Sequence, residues 1–160
     1  MMSVVYLGLG SNVGNKEDHL KRAIDALSQL GKIQNVSPLY FTEPVGDVVQ
    51  NWFLNCVVEM ETEREPQILL SSVKEIERIL GRKKTMEKGP RVIDIDILFY
   101  DDRIIRTKTI IIPHPSIHER LFVLQPLLDL NAQFVHPLLK KTIRELYESH
   151  PWSQKVVRVT

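Results

Sequence analysis

Cysteine is nearly absent: Cys56 is the only one in 160 residues. That excludes an intramolecular disulfide and a cysteine-built zinc site. It lies in an apolar run and reads as a small buried side chain rather than a nucleophile. Long hydrophobic runs are missing too, since no stretch approaches the roughly 20 residues of a membrane span. Neither charge dominates, with 21 Lys+Arg against 20 Asp+Glu, so no global field recommends nucleic acid or an acidic membrane as a partner. The start lacks the basic segment and apolar stretch of a secretory leader, because residues 3–10 already read as a strand. A reducing, cytoplasmic setting is expected. Repeats and low-complexity segments are absent. The glycines at 8, 10 and 14 are not followed by the Gly-Lys-Ser/Thr of a phosphate loop and read as turn residues. His114 and His118 are four apart, as zinc ligands on a helix are, but Pro115 disfavours that helix and no third ligand stands out.

What is present suits one domain with a true core: 43% of residues are hydrophobic and 26% charged. Residues 4–9 read as a strand. Asn15 caps a helix whose apolar stripe is Leu20, Ala23, Ile24, Leu27 and Leu30, ended by Gly31. A strand is expected over 32–42 and a loop over 43–51. Residues 52–60 alternate, with Leu54, Cys56 and Val58 on one face and Phe53, Asn55 and Val57 on the other. Pro66 starts a second helix striped by Leu69, Val73, Ile76 and Leu80. A basic loop over 82–91 then leads to a strand over 92–100. The order β-α-β-β-α-β predicts an α+β, ferredoxin-like fold: an antiparallel sheet with both helices on one face. An edge hairpin is expected near 104–112. Helical segments are expected over 117–128 and 138–150, interrupted by prolines.

The chemistry concentrates at Gly89-Pro90-Arg91-Val92-Ile93-Asp94-Ile95-Asp96. Residues two apart on a strand share a face, so Asp94 and Asp96 point together while Ile93, Ile95, Ile97 and Phe99 face the core. Their Cα atoms are roughly 6.6 Å apart, which suits carboxylates converging on two divalent cations about 4 Å apart. Arg82, Lys83, Lys84, Lys88 and Arg91 precede them. Metals and cations together are what a polyphosphate in transfer requires. The same residues also fit a solvated strand face and a solvated loop. Phe53 can stack on a planar heterocycle and Asn55 can read its edge, though in isolation a packing Phe and a structural Asn are the more ordinary reading. The helices should cover the Leu54/Ile95 face, leaving Phe53, Asn55, Asp94 and Asp96 together on an uncovered one.

Taken together, Gly8-Leu9-Gly10-Ser11-Asn12, Leu54-Asn55, Gly89-Pro90-Arg91…Asp94-Ile95-Asp96-Ile97-Leu98 and Pro113-His114-Pro115 resemble the 6-hydroxymethyl-7,8-dihydropterin pyrophosphokinase family of folate biosynthesis. The likeness runs over nearly the whole chain. It implies one pyrophosphokinase domain over 1–160 that moves pyrophosphate from ATP to the pterin hydroxymethyl group, releasing AMP. It also implies two Mg²⁺ held by Asp94 and Asp96, and Arg82 and Arg91 as catalytic arginines. An ATP site of Glu77, Arg82, Lys84, Arg91, Ile97, His114 and Arg120 is carried over with it. The implied pterin site is Thr42, Val45, Phe53, Asn55 and Phe122. Lys88 stands where many relatives have tryptophan, Lys84 where arginine is frequent, Pro115 for tyrosine and Glu43 for proline. The implied partners are small molecules, with neither nucleic acid nor membrane among them. Both a free-standing enzyme and a domain of a larger folate-pathway enzyme fit. Rival readings are a non-catalytic ferredoxin-like module binding a ligand or RNA, and a kinase moving only the γ-phosphate.

Overall fold

The computed structural model describes residues 2–43, 52–81, 92–151 and 154–159. The chain runs β1 (Ser3–Ser11), α1 (Lys16–Leu27), β2 (Lys32–Val36), β3 (Leu39–Thr42), β4 (Phe53–Thr62), α2 (Pro66–Ile79) and β5 (Asp94–Tyr100). It continues with β6 (Ile105–Arg106), β7 (Ile111–Ile112), a 3₁₀ turn (Ile117–Glu119), α3 (Leu121–Asn131), α4 (Ile143–Glu148) and β8 (Val156–Val159). Local signals set the first two helices. The Asn15 side chain accepts the Asp18 N–H at 3.1 Å, and Pro66 opens α2 where its missing N–H costs nothing.

The main sheet is antiparallel in the order β5-β1-β4-β3-β8, with β2 paired to the other half of β4. Counting β2 and β3 as one broken strand, this is the ferredoxin-like arrangement. The break is at Ser37-Pro38, where a continuous strand is expected from sequence. Pro38 has no N–H for the ladder, and the Ser37 hydroxyl instead accepts the Val57 N–H at 2.9 Å. β8 is unforeseen; it pairs with β3 from Leu39↔Val159 to Thr42↔Val156.

One core lies between the sheet and α1/α2, built on Val5, Leu7, Leu9, Leu20, Leu27, Leu54, Val58, Leu69, Val73, Ile93, Ile95 and Ile97. The opposite face is not left uncovered. α3 and α4 pack a second core of Tyr6, Val57, Leu98, Phe99, Leu124, Leu127, Ile143 and Leu146 on its lower half. Phe99 belongs there rather than with Ile93, Ile95 and Ile97, because β5 carries an extra residue at Leu98: Leu7 pairs with Ile97, but Tyr6 with Phe99. A bulge of this kind breaks the two-residue alternation and sends the following side chain to the other face. α3 runs unbroken through Pro126, where a proline-interrupted segment is expected from sequence. The helix predicted over 138–150 shortens to α4, started by a Thr142–Glu145 capping box.

Candidate active site

Strand register gathers the site into one row across the sheet: Asp94 pairs with Gly10, Gly10 with Asn55, Asn55 with Tyr40, and Tyr40 with Arg158. Directly paired residues point to the same face. In the next row Asp96 pairs with Gly8, and Gly8 with Val57. Gly8 and Gly10 therefore lie inside β1, not in a turn as expected from sequence. Glycine within a strand often marks a close approach. Here Leu98 packs over Gly8, 3.5 Å from where a Cβ would stand, and the Asn55 amide lies over Gly10. A Cβ at Gly10 would stand 2.6 Å from Asn55 Nδ2 and 3.6 Å from a Phe53 ring carbon.

Two polar atoms on this face are unusual. Asn55 Oδ1 and Thr42 Oγ1 are buried and have no hydrogen-bond partner among the described residues. Thr42 pairs with Phe53 in the ladder, so both orphaned acceptors flank the Phe53 ring. Leaving such a group unsatisfied costs about 1–3 kcal/mol, and native folds rarely do so without a reason. A ligand with a hydrogen-bonding edge supplies one.

The aspartate side is shaped by residues distant in sequence. The His114 N–H donates to the Leu98 carbonyl at 3.0 Å, and His114 Nδ1 accepts the Ser116 N–H at 3.1 Å. A neutral ring therefore carries its proton on Nε2. Burial pushes the His114 pKa down, Asp96 pulls it back up, and Arg120 pushes it down again. Asp96 and Arg120 thus both stand within electrostatic reach of His114. The Arg120 guanidinium lies 5.7 Å from the centre of the Phe122 ring, a cation–π distance.

A family model described as 7,8-dihydro-6-hydroxymethylpterin-pyrophosphokinase matches residues 6–132. The chain belongs to this family. The Aquifex aeolicus 2-amino-4-hydroxy-6-hydroxymethyldihydropteridine pyrophosphokinase is 42% identical over 144 residues, covering 90% of each chain. The folic acid synthesis protein fol1 of Pneumocystis carinii is 43% identical over 90% of this chain, which spans only 20% of that protein. A solved HPPK-DHPS from Plasmodium falciparum shares the fold, with a TM-score of 0.75 at 20% identity, over 92% of this chain and 42% of that one. The family thus occurs both alone and inside larger enzymes. Membership makes the protein a pyrophosphokinase, a transferase.

Within this pyrophosphokinase the remaining residues carried over from the resemblance fall as follows. Glu77 is buried in α2 and reaches the outer edge of β5, where Oε2 accepts the N–H of Ile95 at 2.8 Å. Ile95 is the residue between the two aspartates. Lys74 Nζ stands 3.5 Å from the other Glu77 oxygen. The Ile97 side chain is in the main core, because the alternation that turns Asp96 outward turns Ile97 inward. Its main chain, on an edge strand, is what remains to meet a ligand. Phe122 is half-buried at the start of α3. Arg82, Lys84, Arg91 and Val45 lie outside the described residues. Sequence reasoning passed over Tyr40 and the α3 residues facing it; the available signal was the alternation placing Tyr40 and Thr42 on one face of β3. Among the described residues no helix is long and apolar enough to cross a membrane, and no group of three or more His, Cys, Asp or Glu gathers as a metal site.

Proposed function

We propose that the enzyme transfers the β,γ-pyrophosphoryl group of ATP to the hydroxymethyl oxygen of 6-hydroxymethyl-7,8-dihydropterin, releasing AMP, in the cytoplasm. The observation that carries this reading is the orphaned pair of acceptors, Asn55 Oδ1 and Thr42 Oγ1, beside an aromatic ring and across two glycines from two carboxylates. A pterin has an amide-and-amine edge that supplies the missing donors and a flat face for stacking on Phe53 and Phe122. Val45 completes that subsite. Asn55 and Asp94 lie in one row of the sheet with only Gly10 between them, a short reach for the hydroxymethyl arm.

Asp94 and Asp96 are hard oxygen donors on one partly exposed strand face, which fits Mg²⁺. This ion takes one or two carboxylates and completes its shell with water and phosphate oxygens, so the lack of a third acidic ligand among the described residues is no obstacle. Asp94 and Asp96 would hold two such ions, which would supply positive charge to the triphosphate and favour ionisation of the attacking hydroxyl. Arg82 and Arg91 bind phosphate oxygens and balance the charge that moves in transfer. Lys84, His114 and Arg120 add cationic or hydrogen-bonding contacts to ATP, and Glu77 and the Ile97 main chain border them. Phosphoryl-type transfer asks mainly for positioning and charge stabilisation, which this set offers without a protein base. All of this resides in one domain over residues 1–160.

Incubation with ATP, magnesium and the hydroxymethyl dihydropterin should yield AMP and the pterin diphosphate, and chelation should stop it. ADP as product would favour a γ-phosphate kinase, and no turnover a binding module. Asp96→Ala should lower kcat by several orders of magnitude with little change in Tm, because it removes a metal ligand rather than core. Near-normal turnover would remove Asp96 from that role.

A further inference from the structure

Tyr40 is buried on β3, directly opposite Asn55. Its hydroxyl donates to Asp129 Oδ2 on α3 and also meets the side chain of Gln125. Gln125 in turn accepts the Tyr147 hydroxyl of α4 at 2.7 Å. Burial, reinforced by Asp129, pushes the Tyr40 pKa up to about 12, so the phenol keeps its proton and stays a donor at working pH. Phe122, Gln125 and Asp129 stand at i, i+3 and i+7, the spacing of one helical face. The face of α3 that grips Tyr40 is thus the face that presents Phe122. A second sheet tyrosine, Tyr6, takes a hydrogen bond from Asn131 at the end of the same helix, at 3.2 Å.

We propose that Tyr40 is a positioning residue for the heterocycle slot: held by Gln125 and Asp129, it fixes the distance between the sheet side of the slot (Phe53, Asn55) and its helix side (Phe122). This inference rests on the pterin reading of that slot. A flat ring sandwiched between two aromatic surfaces is sensitive to their separation, because contact attraction falls steeply over 0.5–1 Å of gap. Releasing the α3 face by removing one hydroxyl should therefore loosen pterin binding without touching a group that contacts pterin. ATP, bound on the aspartate side, should be indifferent.

Calorimetric titration tests this with two unreactive probes, oxidised 6-hydroxymethylpterin and α,β-methylene-ATP with magnesium, on the whole chain. Tyr40→Phe should weaken pterin binding about tenfold, equivalent to about 1.4 kcal/mol, and leave the nucleotide Kd within twofold. Asp129→Ala should repeat the loss, while Asp129→Asn, which keeps an acceptor, should restore most of it. Should Tyr40→Phe not fold, the Asp129 pair carries the same comparison from a partly exposed position. Unchanged pterin affinity in Tyr40→Phe or Asp129→Ala, with only Tm lowered, would overturn the proposal. So would equal loss of both ligands, or no rescue by asparagine. If the unaltered protein fails to bind the pterin while binding nucleotide, the functional reading itself falls, and this inference with it.

Discussion

Asn55 and Gly10 are coupled through a single short contact. With a Cβ at residue 10 placed 2.6 Å from Asn55 Nδ2, Gly10→Ala forces the amide out of its place. Asn55→Ala removes the amide altogether and leaves a bound pterin with an unpaired edge, a loss of about 1–3 kcal/mol. We expect Asn55→Ala to raise the pterin Kd by roughly ten- to a hundredfold on that scale, with α,β-methylene-ATP bound as before. Gly10→Ala should show the same selective defect, since the strand itself tolerates alanine and only the neighbour is displaced. Equal effects on both ligands, measured by calorimetry, would count against a pterin role for Asn55. Sequence alone singled out Asn55 and the aspartates correctly as sharing a face, because strand alternation is local. It misread Gly8 and Gly10, because whether a glycine bends a chain or makes room for a neighbour depends on what lies across the ladder.

At the scale of elements, capping decides whether the short C-terminal helix forms. α4 has only six residues, too few to persist on intrinsic propensity. The Thr142 hydroxyl accepts the Glu145 N–H at 3.1 Å while the Glu145 carboxylate accepts the Thr142 N–H at 2.9 Å. Thr142→Ala should therefore cost about 1 kcal/mol, lowering Tm by roughly 2–4 °C in a protein of this size. Thr142→Ser should be near neutral, and calorimetric melting distinguishes them. α1, α2 and β4 were legible because each shows a clean period and a start or stop signal; β5 was legible only up to Ile97, since the bulge after it depends on pairing with β1. The split of β2 from β3 was not: the Ser37-Pro38 step works only because Val57 on β4 is there to bond the serine hydroxyl. β8 was illegible for a related reason, since a short strand such as Val156–Val159 acquires its identity from pairing with β3. The continuation of α3 through Pro126 likewise depends on burial of Val123, Leu124 and Leu127 in the second core, which outweighs the proline penalty.

For the molecule as a whole, the two cores differ in what titrates beside them. The buried residues of the core under α1 and α2 are aliphatic apart from Cys56, Met60 and Tyr100. The other is joined by a titratable group: the His136 ring meets Phe99 edge-on at 5.4 Å, and its Nδ1 accepts the N–H groups of Leu138 at 3.2 Å and Leu139 at 3.0 Å. Burial, with a smaller push from His118, lowers the His136 pKa to about 4. Protonation would turn Nδ1 from an acceptor into a donor and break both contacts. Because the unfolded chain binds this proton near pH 6.5 and the folded one only near 4, the unfolded state holds more protons between those values. The stabilising contribution is therefore complete above about pH 6.5, declines as pH falls, and is spent by about pH 4. Its size is on the order of 2–3 kcal/mol, taking 1.36 kcal/mol per pKa unit and discounting for partial screening. Urea melts between pH 7.5 and 4.5 should show this slope in the unaltered protein. In His136→Asn, whose amide oxygen can accept the same N–H groups without titrating, that component should flatten. A slope that survives the substitution undiminished would assign the acid sensitivity to groups other than His136.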